Sequence, residues 1–195
     1  MFSEANLFDL NENLYDVGST TFAASPQLLA EICFIASTLI QTDQGEVAIE
    51  RLDPAMHTFQ GKPLIALTRT IAAEKHIVRI PKHALRPNVP SKDTYVSQSH
   101  GIFLDNKMVK AVDLVNQFKK VKLVPYNNTV LYNVLLDEHS SMSVHNMTCE
   151  TLHPNHRIAK FYKAVADRPE IAVELTKAMN KQFLIARSSA RRSRT

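Results

Sequence analysis

Three side chains in this chain have types and positions that could cut a peptide bond. Cys33 begins a run, residues 33–45, that is typical of a β-strand followed by a glycine turn, and a second strand is predicted at 46–50. A thiolate is a strong nucleophile, and at the boundary of an element it can reach the peptide bond just before it. Ser97 and His100 add a hydroxyl and an imidazole three positions apart. This combination predicts a protein that attacks its own backbone, although an isolated cysteine is commonly a small buried apolar residue.

The histidines are weaker evidence than the cysteine, because the chain has eight of them. Ser97 and His100 lie near a predicted strand end, so their side chains converge only if the chain turns there, and Gly101 permits such a break. His139 follows a strongly apolar strand. It is interpreted either as a solvated turn residue or as a functional imidazole that could act as an acid or a base.

No metal and no cofactor are expected. His145, His153 and His156 lie close in sequence to Cys149, but this stretch is predicted to be a strand and a loop, and no C-x-x-C pair anchors it. The chain has four glycines and no glycine-rich phosphate-binding motif. The predicted chemistry therefore rests on side chains alone.

The size and composition indicate about one domain with appendages, since the chain has 195 residues and is 45% hydrophobic. No apolar window is long enough to span a membrane, and the acidic start lacks the basic segment of a signal peptide. Two cysteines are not a disulfide framework. We therefore expect a reducing environment, inside a cell or a virion.

Patterning divides the chain into four parts. Residues 1–32 form an acidic leader with five acidic residues and no Lys or Arg, and residues 33–155 have β-patterning. Residues 156–185 carry apolar residues at helical spacing on both sides of a break at 167–169, which predicts a pair of helices. Residues 186–195 are rich in Arg and Ser and are predicted to be a disordered tail.

Within the β region, short runs rich in Val, Ile, Thr and Leu, separated by Gly, Pro and Asn, predict short strands. Prolines predict a loop at 81–93, and clustered apolar residues predict a short helix at 111–118. In the leader, Leu7, Leu10 and Leu14 fit a helical spacing. The strands predicted after residue 50 are 64–71, 77–80, 94–98, 102–104, 121–125, 130–136 and 141–147.

Short motifs in a fixed order along this region resemble a known family. They are Cys33-Phe34-x-x-Ser37-Thr38, Val78-Arg79-Ile80-Pro81, Ser97-x-x-His100, Leu131-Tyr132-Asn133-Val134, Leu135-Leu136-Asp137-Glu138-His139 and Cys149-Glu150-Thr151-Leu152. In this order they resemble the Hint (hedgehog/intein) autoprocessing domain, particularly its compact versions in bacteria and large DNA viruses. The resemblance implies a mainly β, horseshoe-like fold, to which the patterning adds a C-terminal pair of α-helices.

The resemblance also implies a mechanism. Cys33 would attack the carbonyl of Ile32 and convert the Ile32–Cys33 amide into a thioester. His100 would protonate the departing amide nitrogen, and Ser97 would orient or polarise that peptide. His139 would assist resolution of the thioester. An amide nitrogen cannot leave without a proton, and an imidazole is the side chain best able to supply one.

Two outcomes known in this family are not expected here. Protein splicing requires Ser, Thr or Cys after a final His-Asn pair, but His145-Asn146 precedes Met147. No cholesterol-recognition extension is evident, so hedgehog-type lipid transfer is not expected either. The resemblance leaves hydrolysis of the thioester, or transfer of residues 1–32 to an amine or thiol. Ser37 replaces the glycine usual in the family, which predicts an altered active strand.

Two other functions remain open. The chain would be a catalytically inactive Hint-like module, a structural or virion assembly protein, if its leader and C-terminal helices docked on neighbouring proteins. The arginine tail would give weak, sequence-blind contact with nucleic acid if its charges were not simply solvated. Under the first hypothesis, by contrast, the partner of the domain is its own N-terminal segment.

Overall fold

The computed structural model describes residues 13–14, 22–23, 32–72 and 74–166, which fall into two compact units divided after Ala30. In the first unit, β1 (Asn13–Leu14) pairs antiparallel with β2 (Phe22–Ala23). Leu14 is therefore in a strand, and the helix predicted from leucine spacing does not include it. The rest of the leader, the second C-terminal helix and the basic tail lie outside the described residues.

The second unit is built from short strands, which confirms the prediction of a mainly β fold. Its strands are β3 (Phe34–Ile35), β4 (Leu39–Thr42), β5 (Gly45–Ala48), β6 (Thr58–Phe59), β7 (Lys62–Pro63), β8 (Ala66–Thr70), β9 (His76–Ile80), β10 (Thr94–Val96), β11 (Gly101–Leu104), β12 (Lys107–Lys110), β13 (Lys122–Pro125), β14 (Leu131–Leu135), β15 (Ser141–Val144) and β16 (Met147–Glu150).

Among the described residues, twelve of these strands form two antiparallel sheets of six strands each, and β6 and β7 pair with each other. The first sheet has the order β13-β9-β10-β3-β14-β8, and the second has the order β12-β11-β16-β15-β4-β5. The chain crosses between the sheets several times. The first crossing leads from β3 in the first sheet to β4 in the second. Cys33 directly precedes β3, so the candidate nucleophile enters the first sheet between its neighbours β10 and β14.

Apolar residues from both sheets pack into one core. Phe34 and Val96 of the first sheet and Ile102 and Val144 of the second are fully buried in the same cluster. Full burial of such a side chain stabilises the fold by about 1.5–3 kcal/mol. The core therefore ties the two sheets together and fixes the strand ends that carry the polar candidates.

Two predicted strands are interrupted by turns. The run at 33–45 breaks at Ser37, whose φ is 66° and whose N–H donates to Glu50 Oε2 at 2.7 Å. The serine thus adopts the left-handed conformation that glycine takes easily. The single strand predicted at 141–147 is wrong. His145 and Asn146 have φ of 49° and 66°, which suits a two-residue hairpin turn, and the chain reverses there from β15 into β16.

Helices occupy the positions that the apolar spacing predicts. A 3-10 turn at Ala111–Asp113 continues into α1 (Leu114–Gln117), which confirms the short helix. α2 (Arg157–Ala166) is the first of the two predicted C-terminal helices. Across the described part of the chain, neither α1 nor α2 has the length and apolar character needed to cross a bilayer.

Candidate functional site

The register of the first sheet places two polar side chains beside Cys33. Phe34 of β3 lies opposite Val96 of β10 on one side and opposite Tyr132 of β14 on the other. Continuing both antiparallel registers by one residue brings Ser97 and Asn133 to the two sides of Cys33. The candidate nucleophile is therefore flanked by a hydroxyl and an amide.

The peptide between Ile32 and Cys33 is held by these two side chains. The Cys33 N–H donates to Ser97 Oγ at 2.8 Å, and the Ser97 N–H donates to the Cys33 carbonyl at 2.9 Å. The Ile32 carbonyl accepts a hydrogen bond from Asn133 Nδ2. Both polar atoms of this peptide bond are thus engaged by side chains of the neighbouring strands.

Asn133 is a site residue that the sequence reasoning did not single out. It is fully buried, and its Oδ1 accepts the N–H of Val134 at 2.7 Å, so Nδ2 is the group directed at the Ile32 carbonyl. The available signal was an amide in the middle of an apolar strand, where a polar side chain needs a specific partner. That the partner is Ile32 follows only from the pairing of β14 with β3.

His100 joins Ser97 through a turn. Its N–H donates to the Ser97 carbonyl at 3.3 Å, and its ring packs on Phe34 with centroids 4.3 Å apart. Nε2 donates to the Glu150 carbonyl at 3.1 Å, because a carbonyl can only accept. Burial lowers the pKa of His100 to about 3, so the ring is neutral. Among the described residues, its buried Nδ1 has no hydrogen-bond partner and carries a lone pair.

Glu150 contacts both predicted catalytic histidines. The sequence reasoning did not single out this residue either. Its carbonyl accepts from His100, its Oε1 accepts the N–H of Gly101 at 2.6 Å, and its Oε2 pairs with His139 Nε2 at 3.1 Å. The residue is 8% exposed. The carboxylate of Glu150 therefore orients His139, and its backbone carbonyl orients His100.

Gly101 is required for a reason other than the predicted one. Its φ does not lie in the left-handed region, so the turn at residues 97–100 does not depend on its flexibility. A Cβ at Gly101 would instead lie 2.6 Å from Glu150 Oε1 and 2.7 Å from Met108 Sδ. The glycine allows the Glu150 carboxylate to approach the backbone of β11.

His139 is connected to the rest of the site through Glu150. It follows β14, pairs with Glu150 and packs on His153 with ring centroids 5.0 Å apart. Its side chain is 32% exposed, unlike that of His100. Within the described ranges no hydrogen bond joins His139 to the Ile32–Cys33 peptide, and its connection to the site passes through Glu150.

The remaining histidines have local roles. His145 accepts the Leu39 N–H on Nε2 at 3.2 Å, so Nδ1 donates to Thr94 Oγ1 at 2.8 Å, and burial lowers its pKa. His153 and His156 accept backbone N–H groups just after them in the chain. In the described part of the chain, no group of three or more His, Cys, Asp or Glu side chains is arranged to hold a metal ion.

Cys149 differs from Cys33 in its surroundings. It lies on β16 inside the main core, and burial raises the pKa of its thiol far above the ordinary value. A thiol held protonated in an apolar core is a poor nucleophile. Cys33 is also buried, in a smaller apolar cluster with Ile77 and Leu131, but it lies at a strand start where Ser97 Oγ accepts its N–H.

The second unit is thus a mainly β domain of two antiparallel sheets, with a cysteine at the entry of the first sheet. A family model of the Hint domain matches residues 32–156, and the chain belongs to this autoprocessing family. The match begins at Ile32, directly before the candidate nucleophile, and ends directly before α2. Among the curated proteins compared, none matches the chain.

Proposed function

We propose that this domain cleaves its own chain at the Ile32–Cys33 bond by forming a thioester, and then releases or transfers residues 1–32. The proposal rests on the two side-chain hydrogen bonds that hold this peptide. Ser97 Oγ accepts its N–H and Asn133 Nδ2 donates to its carbonyl. A peptide whose nitrogen and oxygen both face buried side chains is positioned for reaction at its carbonyl carbon.

In the first step, Cys33 Sγ attacks the carbonyl carbon of Ile32. The S–C bond forms, the C–N bond breaks, and the thiol proton ends on the nitrogen, which becomes the α-amine of Cys33. No oxidant or other reactant is needed, because the step is an isomerisation of amide and thiol to thioester and amine. Asn133 Nδ2 stabilises the negative oxygen of the tetrahedral intermediate, an effect worth about 10²–10³ in rate for one such donor.

His100 supplies the proton transfer in this proposal. Its ring is neutral at rest, so it cannot begin as the acid and must first accept the thiol proton on Nδ1. Because its pKa is about 3, the neutral ring is a weak base. It therefore takes the thiol proton in concert with attack of the sulfur on the carbonyl and then gives that proton to the departing nitrogen. Ser97 keeps the amide nitrogen oriented toward that proton through its hydrogen bond to Cys33 N–H.

Resolution of the thioester is assigned to the more exposed histidine. His139 can deprotonate an incoming water, amine or thiol, while Glu150 Oε2 orients its ring through Nε2. The acyl carbon of Ile32 then passes from sulfur to the incoming oxygen, nitrogen or sulfur, and the thiol of Cys33 is regenerated. Glu150 thereby serves as a positioning residue for both histidines.

The test is the intact mass of the full chain, with and without dithiothreitol, for the wild type and for Cys33→Ala. We expect dithiothreitol to promote a break between Ile32 and Cys33 in the wild type and none in the variant. The matched control is Cys149→Ala, which removes the other thiol and is expected to cleave like the wild type. A single uncleaved mass in every sample would contradict the proposal and favour an inactive assembly module.

A further inference from the structure

The side chain of Ile32 lies in an apolar seat. The seat is a small buried cluster to which two sheet strands, the segment after β16 and the helix α2 contribute, and Ile32 packs against it from one side. Its buried members are Ala66, Leu135, Leu152 and Ala159, and its partly buried members are Ile65, Ile158 and Tyr162. The residue before the candidate nucleophile is therefore recognised by its side chain as well as by its carbonyl.

The helix forms one wall of this seat. Ala159 of α2 is fully buried in the cluster, and Ile158 and Tyr162 extend the same wall. The small and aliphatic members of the seat leave room for an aliphatic partner and carry no polar side-chain atoms, and the Oη of Tyr162 accepts the Arg69 N–H. The chemistry of the seat fits isoleucine or valine at position 32 and disfavours a carboxylate.

Two polar contacts fix the helix on the sheet. Tyr162 Oη accepts the N–H of Arg69 at 2.9 Å, on the edge strand β8, and Lys163 Nζ lies 3.6 Å from Asp137 Oδ1. Burial, with a smaller contribution from the nearby Cys33, raises the pKa of Tyr162 to about 12, so the phenol is neutral.

The helix lies outside the part of the chain that the family model covers. The match ends at residue 156, whereas α2 begins at Arg157. The seat therefore combines residues of the Hint core with a wall from the C-terminal extension. This arrangement links a segment after the domain to the residue just before its nucleophile.

We propose that α2 completes a specificity site for the residue before the cleaved bond, and that this site selects an uncharged aliphatic side chain. The inference rests on the proposed self-cleavage and deepens it. By holding the Ile32 side chain, the seat fixes the carbonyl on Asn133 Nδ2 and so sets the rate of thioester formation. Ile32 is a positioning residue in this scheme, since its side chain acts through its own carbonyl.

The test compares cleavage rates of full-length variants in dithiothreitol by intact mass. Ile32→Val, which keeps an aliphatic side chain, is expected to cleave within about threefold of the wild type. Ile32→Asp places a charge against the apolar seat and is expected to cleave at least about tenfold more slowly. Equal rates for Ile32→Asp and the wild type would overturn the specificity site and leave the self-cleavage standing.

A second pair of variants tests the helix itself. Ala159→Ile fills the seat and is expected to slow cleavage, whereas the double variant Ile32→Ala/Ala159→Ile restores space and is expected to recover the rate. The matched control is Ala84→Ile, the same enlargement at a partly buried alanine of the main core. Failure of the double variant to recover, while it remains folded by circular dichroism, would overturn the role of α2. A wild type that never cleaves would remove the proposed function and this inference with it.

Discussion

At the scale of single residues, the candidate site is defined by how one peptide bond is held. In an ordinary antiparallel ladder, backbone groups of neighbouring strands engage each peptide. Here Ser97 Oγ and Asn133 Nδ2 take those places on the two sides of Cys33. The substitution of side chains for backbone allows the groups to be tuned by mutation, so each of them can be tested singly.

Asn133→Ala removes the donor to the Ile32 carbonyl. We expect the rate of thioester formation in dithiothreitol to fall by about 10²-fold or more, because the developing oxyanion loses its donor. The variant also leaves the Val134 N–H without its Oδ1 partner, which should cost about 1–3 kcal/mol of unfolding free energy. Intact-mass kinetics and urea unfolding measure the two effects separately.

Asn116→Ala serves as the control for this prediction, since Asn116 is exposed on α1. It should cleave like the wild type. A cleavage rate for Asn133→Ala within about twofold of that control would show that the Ile32 carbonyl needs no donor from this side chain, contrary to the assigned role.

At the scale of elements, the site depends on close approach between strands and on one turn. The turn at residues 97–100 leads from β10 to β11 and carries Ser97 at its start and His100 at its end. Glu150, at the end of β16, closes on the first residue of β11 through the Gly101 N–H. These two features bring the His100 ring between Phe34 and the Glu150 carbonyl.

Gly101→Ala tests the close approach of Glu150 to β11. The added Cβ would meet Glu150 Oε1 and Met108 Sδ at 2.6 and 2.7 Å, so one or both must move. We expect the free energy of unfolding to fall by about 1–3 kcal/mol, as for other overpacked sites. Urea unfolding of the variant against the wild type measures the loss.

Met108→Ala provides the companion variant, because Met108 is exposed and its removal relieves only one of the two contacts. The double variant Gly101→Ala/Met108→Ala should therefore recover only part of the stability lost in Gly101→Ala. Full recovery would mean that the Glu150 carboxylate is not held in place by the backbone of β11.

At the scale of the whole molecule, the candidate site lies where the two sheets meet. Cys33 and its flanking residues belong to the first sheet, whereas Glu150 belongs to the second. His100 lies on the connection between them and is fully buried. Separation of the sheets would therefore expose the His100 ring and allow it to be protonated. The stability of the fold is thus linked to the protonation of His100.

This linkage predicts a loss of stability on acidification. The pKa of His100 is about 3 in the fold and about 6.5 when unfolded, and burial also lowers the pKa of His145. Between these values the unfolded chain binds more protons, so stability is complete above about pH 6.5 and declines as pH falls toward 3. For His100 alone, the full loss is of the order of 3–5 kcal/mol.

Urea unfolding at pH 7.0, 6.0 and 5.5 measures this dependence in a range above most carboxyl titrations. The matched variant His100→Phe removes one of the two groups and should flatten the slope by about one proton. An equal slope in the variant and the wild type would show that His100 is already protonated in the folded protein or is not buried in solution.

The sequence by itself determined the local features of this protein, because they depend on neighbours along the chain. Short runs rich in β-forming residues predicted the strands from 64 to 136, clustered and helically spaced apolar residues predicted α1 and α2, and the Hint-like motifs identified the family. The hairpin turn at His145 and Asn146 was missed, since neither residue is the glycine that commonly marks such a turn.

Only the tertiary structure decided which side chains meet. Asn133 faces the Ile32 carbonyl although the two residues are 101 positions apart, and Glu150 reaches both His100 and His139. A contact of this kind follows from the register of strands that are distant in sequence, and that register is set by packing of the whole core. The pattern of one strand carries no information about the partner it will face, so the nucleophile was visible in the sequence and most of its surroundings were not.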